Sequence, residues 1–132
     1  MKKLNNNSSL KKKILVVDDE VDLLKILKLN LEVKGYKVIT ALDGEEALEK
    51  LKSEEPNVVI LDIMLPKLNG DEVCRKIRSD PVFNKTPIIM LTGKDTDIDR
   101  IVARVIGADI YITKPSDFEQ LNSAIKKVLE NK

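Results

Sequence analysis

Acidic residues stand directly after two apolar runs of the sequence, where strands would end. Asp18, Asp19 and Glu20 follow the first run, and Asp62 follows the third. Because the carboxyl ends of parallel strands share one sheet edge, these carboxylates would converge if the two strands were neighbours, and would repel one another without a cation. Mg²⁺ suits such oxygen ligands and takes only one or two carboxylates beside its waters. Helix capping stays open as an alternative role for the acidic triplet.

Two further runs end in residues that suit a phosphoryl group. Thr92, before Gly93, offers a hydroxyl that could donate to a phosphoryl oxygen, and Lys114, before Pro115, offers a mobile cation at the same edge. Taken singly, the threonine could simply close a strand, and the lysine could be a surface residue before a turn. Together with the acids, they predict a site for Mg²⁺ and a phosphoryl group.

Asp62 is the best candidate for a nucleophile in this site. It would end the central strand and point into the site, whereas Asp19 is better placed as a metal ligand. Carboxylates act as nucleophiles in phosphoryl transfer, while a metal ion and Lys114 would offset charge on the transferring oxygens. The expected product is an acyl phosphate on Asp62.

The composition excludes several kinds of chemistry. Because the chain has no histidine, it cannot carry Ser-His-Asp or Cys-His catalysis, nor a phosphohistidine of its own. Cys74 is the single cysteine, so no disulfide can form within the chain. We expect Cys74 to be a buried helix residue without a redox role.

Charge and hydropathy predict a cytoplasmic domain. A formal net charge of +1 over 132 residues, with both signs interleaved, provides no broad field that would attract nucleic acid or a membrane surface. The first apolar run is too short for a signal peptide, and no run approaches the ~20 residues of a membrane span. We expect a flexible polar and basic tail over residues 1–12 and one globular domain over residues 13–132.

Five β-α units are predicted from the pattern of apolar residues. The first, third and fourth apolar runs are wholly apolar and suit strands buried on both faces, whereas the second and fifth are mixed and suit sheet edges. Gly35 and Gly107 suit helix C-termini, and Asp43 and Asp71 stand near helix starts. The predicted strands are Ile14 to Val17, Tyr36 to Thr40, Val58 to Leu61, Ile88 to Leu91 and Ile110 to Thr113. The predicted helices are Val21 to Leu31, Glu45 to Ser53, Asp71 to Ser79, Thr96 to Ile106 and Phe118 to Leu129.

Alternating strands and helices of this kind predict an α/β fold. Right-handed crossovers between parallel strands place helices on both faces of the sheet, which gives a doubly wound, three-layer domain. Ligands of such domains bind at the carboxyl ends of the strands, where the winding reverses.

Four motifs stand at the ends of the predicted strands and in the loops that follow them. They are Val16-Val17-Asp18-Asp19-Glu20, Leu61-Asp62-Ile63-Met64-Leu65-Pro66 with Gly70, Leu91-Thr92-Gly93, and Gly107-Ala108-Asp109-Ile110-Tyr111-Ile112-Thr113-Lys114-Pro115. Together they resemble the receiver domain of bacterial two-component response regulators, of the stand-alone type, and the spacing matches from about Lys13 to the end of the chain. The resemblance implies a flavodoxin-like (βα)5 fold with strand order 2-1-3-4-5.

The resemblance implies a role for each acidic residue of the site. Asp62 would accept a phosphoryl group from a histidine kinase or a phosphotransfer protein. Asp19 would ligate Mg²⁺ together with Asp62 and the backbone carbonyl of Met64, and Asp18 would assist through water.

The resemblance also implies a switch. The hydroxyl of Thr92 would move toward the phosphoryl group and the ring of Tyr111 would follow, remodelling the face made by helix 4, strand 5 and helix 5, onto which an output protein docks. Lys114 would contact the phosphate, and its peptide bond to Pro115 would be cis. Taken alone, Tyr111 could equally be a half-buried strand aromatic.

Two positions near the output face depart from the pattern of the family. Ile110 and Ser116 stand where many relatives carry an acidic residue and a phenylalanine, so the resemblance does not specify the partner surface. The chain would act alone as a monomer or phosphorylation-promoted dimer, or it would be part of a longer regulator. We expect no enzymatic activity beyond its own phosphorylation and dephosphorylation.

Three other interpretations are open at this stage. A Mg²⁺-dependent phosphatase of the haloacid-dehalogenase type would need an Asp-x-Asp motif after the first strand, whereas Asp18 and Asp19 are adjacent. A receiver-like interaction module independent of phosphorylation would not need the intact set of acids, Thr92 and Lys114. Flavin binding rests on fold analogy alone.

Overall fold

Five parallel strands form the centre of the computed structural model, which describes residues 11–94, 96–114 and 117–130. The strands are β1 (Lys13–Val17), β2 (Lys37–Ala41), β3 (Val58–Leu61), β4 (Ile88–Thr92) and β5 (Ile110–Thr113). Their order in the sheet is β2-β1-β3-β4-β5, which confirms the predicted topology and the two predicted edge strands.

Five helices cover the two faces of this sheet. They are α1 (Val21–Val33), α2 (Gly44–Glu54), α3 (Gly70–Ser79), α4 (Asp97–Ile106) and α5 (Phe118–Glu130). Helices α1 and α5 share one apolar cluster with the sheet, and α2, α3 and α4 share the other, which confirms the three-layer, doubly wound fold. Within the described residues, no helix is long and apolar enough to cross a bilayer.

Side-chain and glycine caps set the helix ends close to where the sequence predicts them. Asp43 precedes α2 and accepts a hydrogen bond from the Glu46 N–H at 2.8 Å. Thr96 is the N-cap of α4 rather than its first helical residue. Gly107 ends α4 with a φ of +114°, a backbone conformation that L-residues rarely adopt.

Strand β2 begins and ends one residue later than the sequence predicts. The Tyr36 N–H donates to the Leu31 carbonyl at 3.2 Å and therefore closes α1 instead of joining the sheet. The Lys37 N–H is the first to join the sheet, donating at 2.9 Å to the carbonyl of Lys12, the residue before β1.

Arg78, at the end of α3, ties together the sheet edge opposite the predicted site. Its guanidinium donates to the Thr86 carbonyl at 2.6 Å, the Gly107 carbonyl at 2.9 Å and the Asp109 carboxylate at 2.9 Å. A Cβ at Gly107 would lie 2.7 Å from the Arg78 Cγ, so the guanidinium arm packs where only glycine fits. The partly buried guanidinium of Arg78 therefore links the segment at the start of β4 to the α4–β5 turn.

Replacing Arg78 with alanine is expected to lower the free energy of unfolding by about 2–4 kcal/mol, because it orphans several acceptors that share charge-assisted bonds. Arg78→Lys should recover only part of this, since an ammonium group cannot reproduce the planar fork. Urea titration measures both. Arg75→Ala is the control, because the ion pair of Arg75 with Glu72, at 3.8 Å, is exposed. Equal stability of the two alanine variants would contradict the role of Arg78.

Cys74 is fully buried in α3, as the sequence predicts. Burial raises the pKa of its thiol to about 11 from the ordinary value of 9.0. At pH 8 this reduces the thiolate fraction about a hundredfold, and access is blocked as well. We expect iodoacetamide to modify the native protein far more slowly than the urea-unfolded protein, as followed by intact mass. Comparable rates would contradict the burial.

Candidate functional site

The register of the central strands brings two acidic residues side by side. Val17 in β1 pairs with Leu61 in β3, so the next residue of each strand, Asp18 and Asp62, leaves the sheet at the same edge. The Asp62 N–H donates to the Val17 carbonyl at 3.2 Å, which fixes this placement through the backbone. Both residues are largely buried, with 2% of Asp18 and 6% of Asp62 exposed.

Lys114 bridges these two carboxylates from the end of β5. Its Nζ donates to Asp18 Oδ2 at 2.6 Å, to Asp62 Oδ2 at 2.8 Å and to Glu20 Oε1 at 3.0 Å. The second oxygen of each buried carboxylate accepts a backbone N–H, that of Glu20 at 2.9 Å for Asp18 and that of Met64 at 3.2 Å for Asp62. The two aspartates are thus held in fixed orientations by both the main chain and one lysine.

The charge balance of this cluster favours a protonated lysine. Burial by itself would lower the pKa of Lys114, but hydrogen bonds to Asp18, Asp62 and Glu20 outweigh it and raise the pKa above its usual range. The pKa of Asp18 is also raised, because its burial and the charge of Asp62 outweigh the help from Lys114. Lys114 therefore stays protonated at neutral pH, although the carboxylates of Asp18 and Asp62 still repel each other.

Thr92 and Lys114 are joined by the pairing of β4 with β5. Thr92 is the last residue of β4 and is fully buried, and its carbonyl accepts the Lys114 N–H at 2.7 Å. The Lys94 N–H lies 3.4 Å from Thr92 Oγ1, so the hydroxyl oxygen is turned toward the β4–α4 loop. The expected hydroxyl and ammonium group are therefore placed at the same sheet edge as the acids.

An open cleft of about 850 Å³ connects these groups to solvent. Asp62, Thr92 and Lys114 line it together with Asp19 and Met64. Asp19 itself is exposed, and within the described residues no three acidic, cysteine or histidine side chains are grouped for metal binding. The donor set nevertheless fits Mg²⁺, which needs only one or two carboxylates, a carbonyl and water.

Tyr111 lies beside this site on β5 and is only partly buried. Its hydroxyl donates to the Lys94 carbonyl at 2.6 Å, and the Arg100 guanidinium lies 4.9 Å from the centroid of its ring. The resemblance implied that Thr92 and Tyr111 form a switch pair, but the hydrogen bond from Tyr111 to Lys94 was not predicted from the sequence. Pro115, Ser116 and the cis peptide bond predicted at Lys114 lie outside the described residues.

Two features of the site were missed by sequence reasoning. Gly70 packs so closely on β3 that a Cβ would lie 2.0 Å from the Asp62 carbonyl oxygen, and a Cβ at Gly44 would lie 1.9 Å from the Leu68 carbonyl oxygen. Asp71 lines the cleft with a buried Oδ1 that has no hydrogen-bond partner among the described residues, and burial raises its pKa. The sequence marks Asp71 only as a residue of a first helical turn.

Comparison with known proteins agrees with this geometry. The family model of the response regulator receiver domain matches residues 14–126. The chain belongs to this family. Receiver domains generally bind Mg²⁺ at their phosphorylation site, and they interact with histidine kinases or phosphotransfer proteins and with output domains.

Individual relatives support the assignment as a receiver domain. The alkaline phosphatase synthesis transcriptional regulatory protein PhoP of Bacillus subtilis is 49% identical over 118 residues, which cover 89% of this chain and 48% of PhoP. The receiver domain therefore spans about half the length of such curated relatives. A probable transcriptional regulator, ycf27, of Guillardia theta is 50% identical over 119 residues, covering 90% of this chain and 46% of that protein.

Solved structures show the same fold. A CheY-like receiver domain protein of Methanospirillum hungatei superimposes with a TM-score of 0.86 at 34% identity, covering 92% of this receiver domain and 95% of that chain. The chemotaxis response regulator CheY4 of Vibrio cholerae gives 0.85 at 32% identity, covering 90% and 99%.

Proposed function

We propose that this receiver domain accepts a phosphoryl group on Asp62 from a histidine kinase or phosphotransfer protein in the cytoplasm. The observation that carries the proposal is the bridge of the Lys114 ammonium group between two buried aspartates at the mouth of an open cleft. A held carboxylate with a cation beside it suits nucleophilic attack on phosphorus.

In the proposed reaction, a carboxylate oxygen of Asp62 forms a bond to phosphorus as the bond from phosphorus to the donor's imidazole nitrogen breaks. The leaving nitrogen keeps the bonding electron pair, and the product is an acyl phosphate. Lys114 stabilises charge on the phosphoryl oxygens, and the main-chain bonds to Asp62 hold its carboxylate in place. Hydrolysis of the acyl phosphate returns Asp62 to its starting state.

Asp19, Asp62 and the Met64 carbonyl are the residues that would hold Mg²⁺, with Asp18 acting through water. The ion supplies positive charge for the phosphoryl oxygens. Because Lys114 donates to both Asp18 and Asp62 in this structure, a bound Mg²⁺ would compete with the lysine for these carboxylates.

We further propose that phosphorylation changes the face formed by α4, β5 and α5. A hydrogen-bonded route runs from Thr92 through Lys94 to Tyr111, and α4 exposes an apolar stripe beside it. Ile98, Ile101 and Val105 recur at helical spacing and are 71%, 61% and 78% exposed. An output protein that docks there would cover this stripe. Ile110 of β5 packs instead with the apolar cluster of α1 and α5.

The test is the intact mass of the purified protein after incubation with acetyl phosphate, with and without Mg²⁺. A gain of one phosphoryl group that needs the metal supports the proposal. Failure of the folded protein to gain a phosphoryl group from acetyl phosphate and from a cognate kinase overturns it and favours an interaction module that works without phosphorylation. We also propose that the chain has no enzymatic activity on other substrates. Turnover of phosphate esters would contradict this and would indicate a phosphatase.

A further inference from the structure

Arg100 of α4 makes two contacts with the same face of β5. Its guanidinium lies 4.9 Å from the centroid of the Tyr111 ring, and its Nη2 donates to Thr113 Oγ1 at 2.5 Å. Tyr111 and Thr113 are two residues apart, so their side chains leave the strand on one side. Arg100 therefore connects α4 to two side chains near the end of β5.

The Tyr111 side chain is contacted both at its hydroxyl group and over the face of its ring. Its hydroxyl donates to the Lys94 carbonyl at 2.6 Å, while the guanidinium contacts the aromatic system. Lys94 lies two residues after Thr92 and its N–H faces the Thr92 hydroxyl. Thr92 and Tyr111 are thus both in contact with Lys94, and Arg100 contacts the same ring.

We propose that Arg100 is a positioning residue of the switch, which holds the Tyr111 ring where its hydroxyl reaches the Lys94 carbonyl. The proposal deepens the proposed function, since it assigns the residue that sets the balance between two ring positions. An Arg–aromatic contact at an exposed site changes such a balance by about two- to fivefold. Loss of Arg100 therefore shifts the balance toward displaced rings without touching the phosphoryl site.

The experiment observes Tyr111 directly in protein without phosphate or metal. The chain contains only two tyrosines, Tyr36 and Tyr111, so 3-fluorotyrosine incorporated into a Tyr36→Phe background reports on Tyr111 alone. The ¹⁹F spectra of the background protein, Arg100→Ala, Arg100→Lys and Arg104→Ala are compared. Arg104→Ala is the matched control, because it removes the same charge one turn further along α4.

We expect Arg100→Ala to shift the resonance or change the ratio of two resonances about two- to fivefold, and Arg100→Lys to give a smaller change. Arg104→Ala should give the background spectrum. Urea unfolding checks that every variant is folded. An unchanged spectrum in Arg100→Ala, or an equal change in Arg104→Ala, overturns the proposal.

A second arm adds acetyl phosphate and Mg²⁺. Arg100→Ala should gain the phosphoryl group to the same extent as the background protein, while its ¹⁹F response to phosphorylation becomes smaller. If the background protein gains no phosphoryl group, the proposed function fails, whereas the spectra without phosphate still decide the role of Arg100.

Discussion

Replacing Asp62 with asparagine is expected to abolish phosphoryl incorporation from acetyl phosphate, because an amide is not a nucleophile toward phosphorus under these conditions. The substitution keeps the size of the side chain and leaves the Lys114 ammonium group paired with Asp18 and Glu20. The fold should therefore persist, and a lost mass gain would report on the chemistry alone. Intact mass after incubation with acetyl phosphate and Mg²⁺ is the measurement.

Asp71→Asn is the matched control for Asp62→Asn, because both aspartates line the same cleft. Asp71 makes no contact with Lys114 among the described residues, so its change should leave phosphoryl incorporation intact. A mass gain retained in Asp62→Asn would show that another residue accepts the phosphoryl group. Loss in both variants would point to the overall charge of the cleft rather than to one nucleophile.

Replacing Lys114 with methionine is expected to lower the free energy of unfolding by about 3–5 kcal/mol in metal-free buffer, since it leaves two buried carboxylates without their cation. Its side chain is only 18% exposed, so solvent screens the lost pairs weakly. The pKa of Lys114 is raised in the fold, so this stabilisation is fully present below the ordinary lysine pKa and lost only as the pH rises through the raised value. Urea titration at neutral pH with a chelator measures it.

Adding Mg²⁺ should stabilise Lys114→Met more than the parent protein, because the ion no longer competes with an ammonium group for the oxygens of Asp18 and Asp62. Lys94→Met is the control, as Lys94 is an exposed lysine lining the same cleft. Equal urea midpoints for the two methionine variants without metal would contradict the structural role of Lys114. An equal Mg²⁺ response in variant and parent would contradict the competition.

The predicted fold and site followed from local patterns that this sequence displays clearly. Apolar runs that end in Asp18, Asp62 and Thr92 identify buried parallel strands and also the edge at which their last residues meet. The strand order that makes β1 and β3 neighbours came from the resemblance to receiver domains, and the structure confirms it. The strand ends could be predicted because each wholly apolar run stops abruptly at a polar residue.

Contacts between distant segments were less accessible to sequence reasoning. The triple pairing of Lys114 includes Glu20, which the sequence suggested only as part of an acidic cluster. The hydrogen bonds of Arg78 and the contact of the Arg100 guanidinium with the Tyr111 ring join residues on different elements. The partners of such arginines cannot be predicted from sequence spacing. Their long side chains reach residues whose positions depend on how the helices pack on the sheet.

The close approach of Gly44 and Gly70 to the backbone has a consequence for how sequences of this kind can diverge. Where main chain lies against main chain, the position of the acceptor carboxylate is set by atoms that every residue shares. Residues that do not contact Asp62, Thr92 or Lys114 can then be exchanged without moving the acceptor, so partner preference can change while the reactive geometry is kept. Gly44 and Gly70 must therefore be kept to preserve the backbone near the acceptor, while the residues that set partner preference can change.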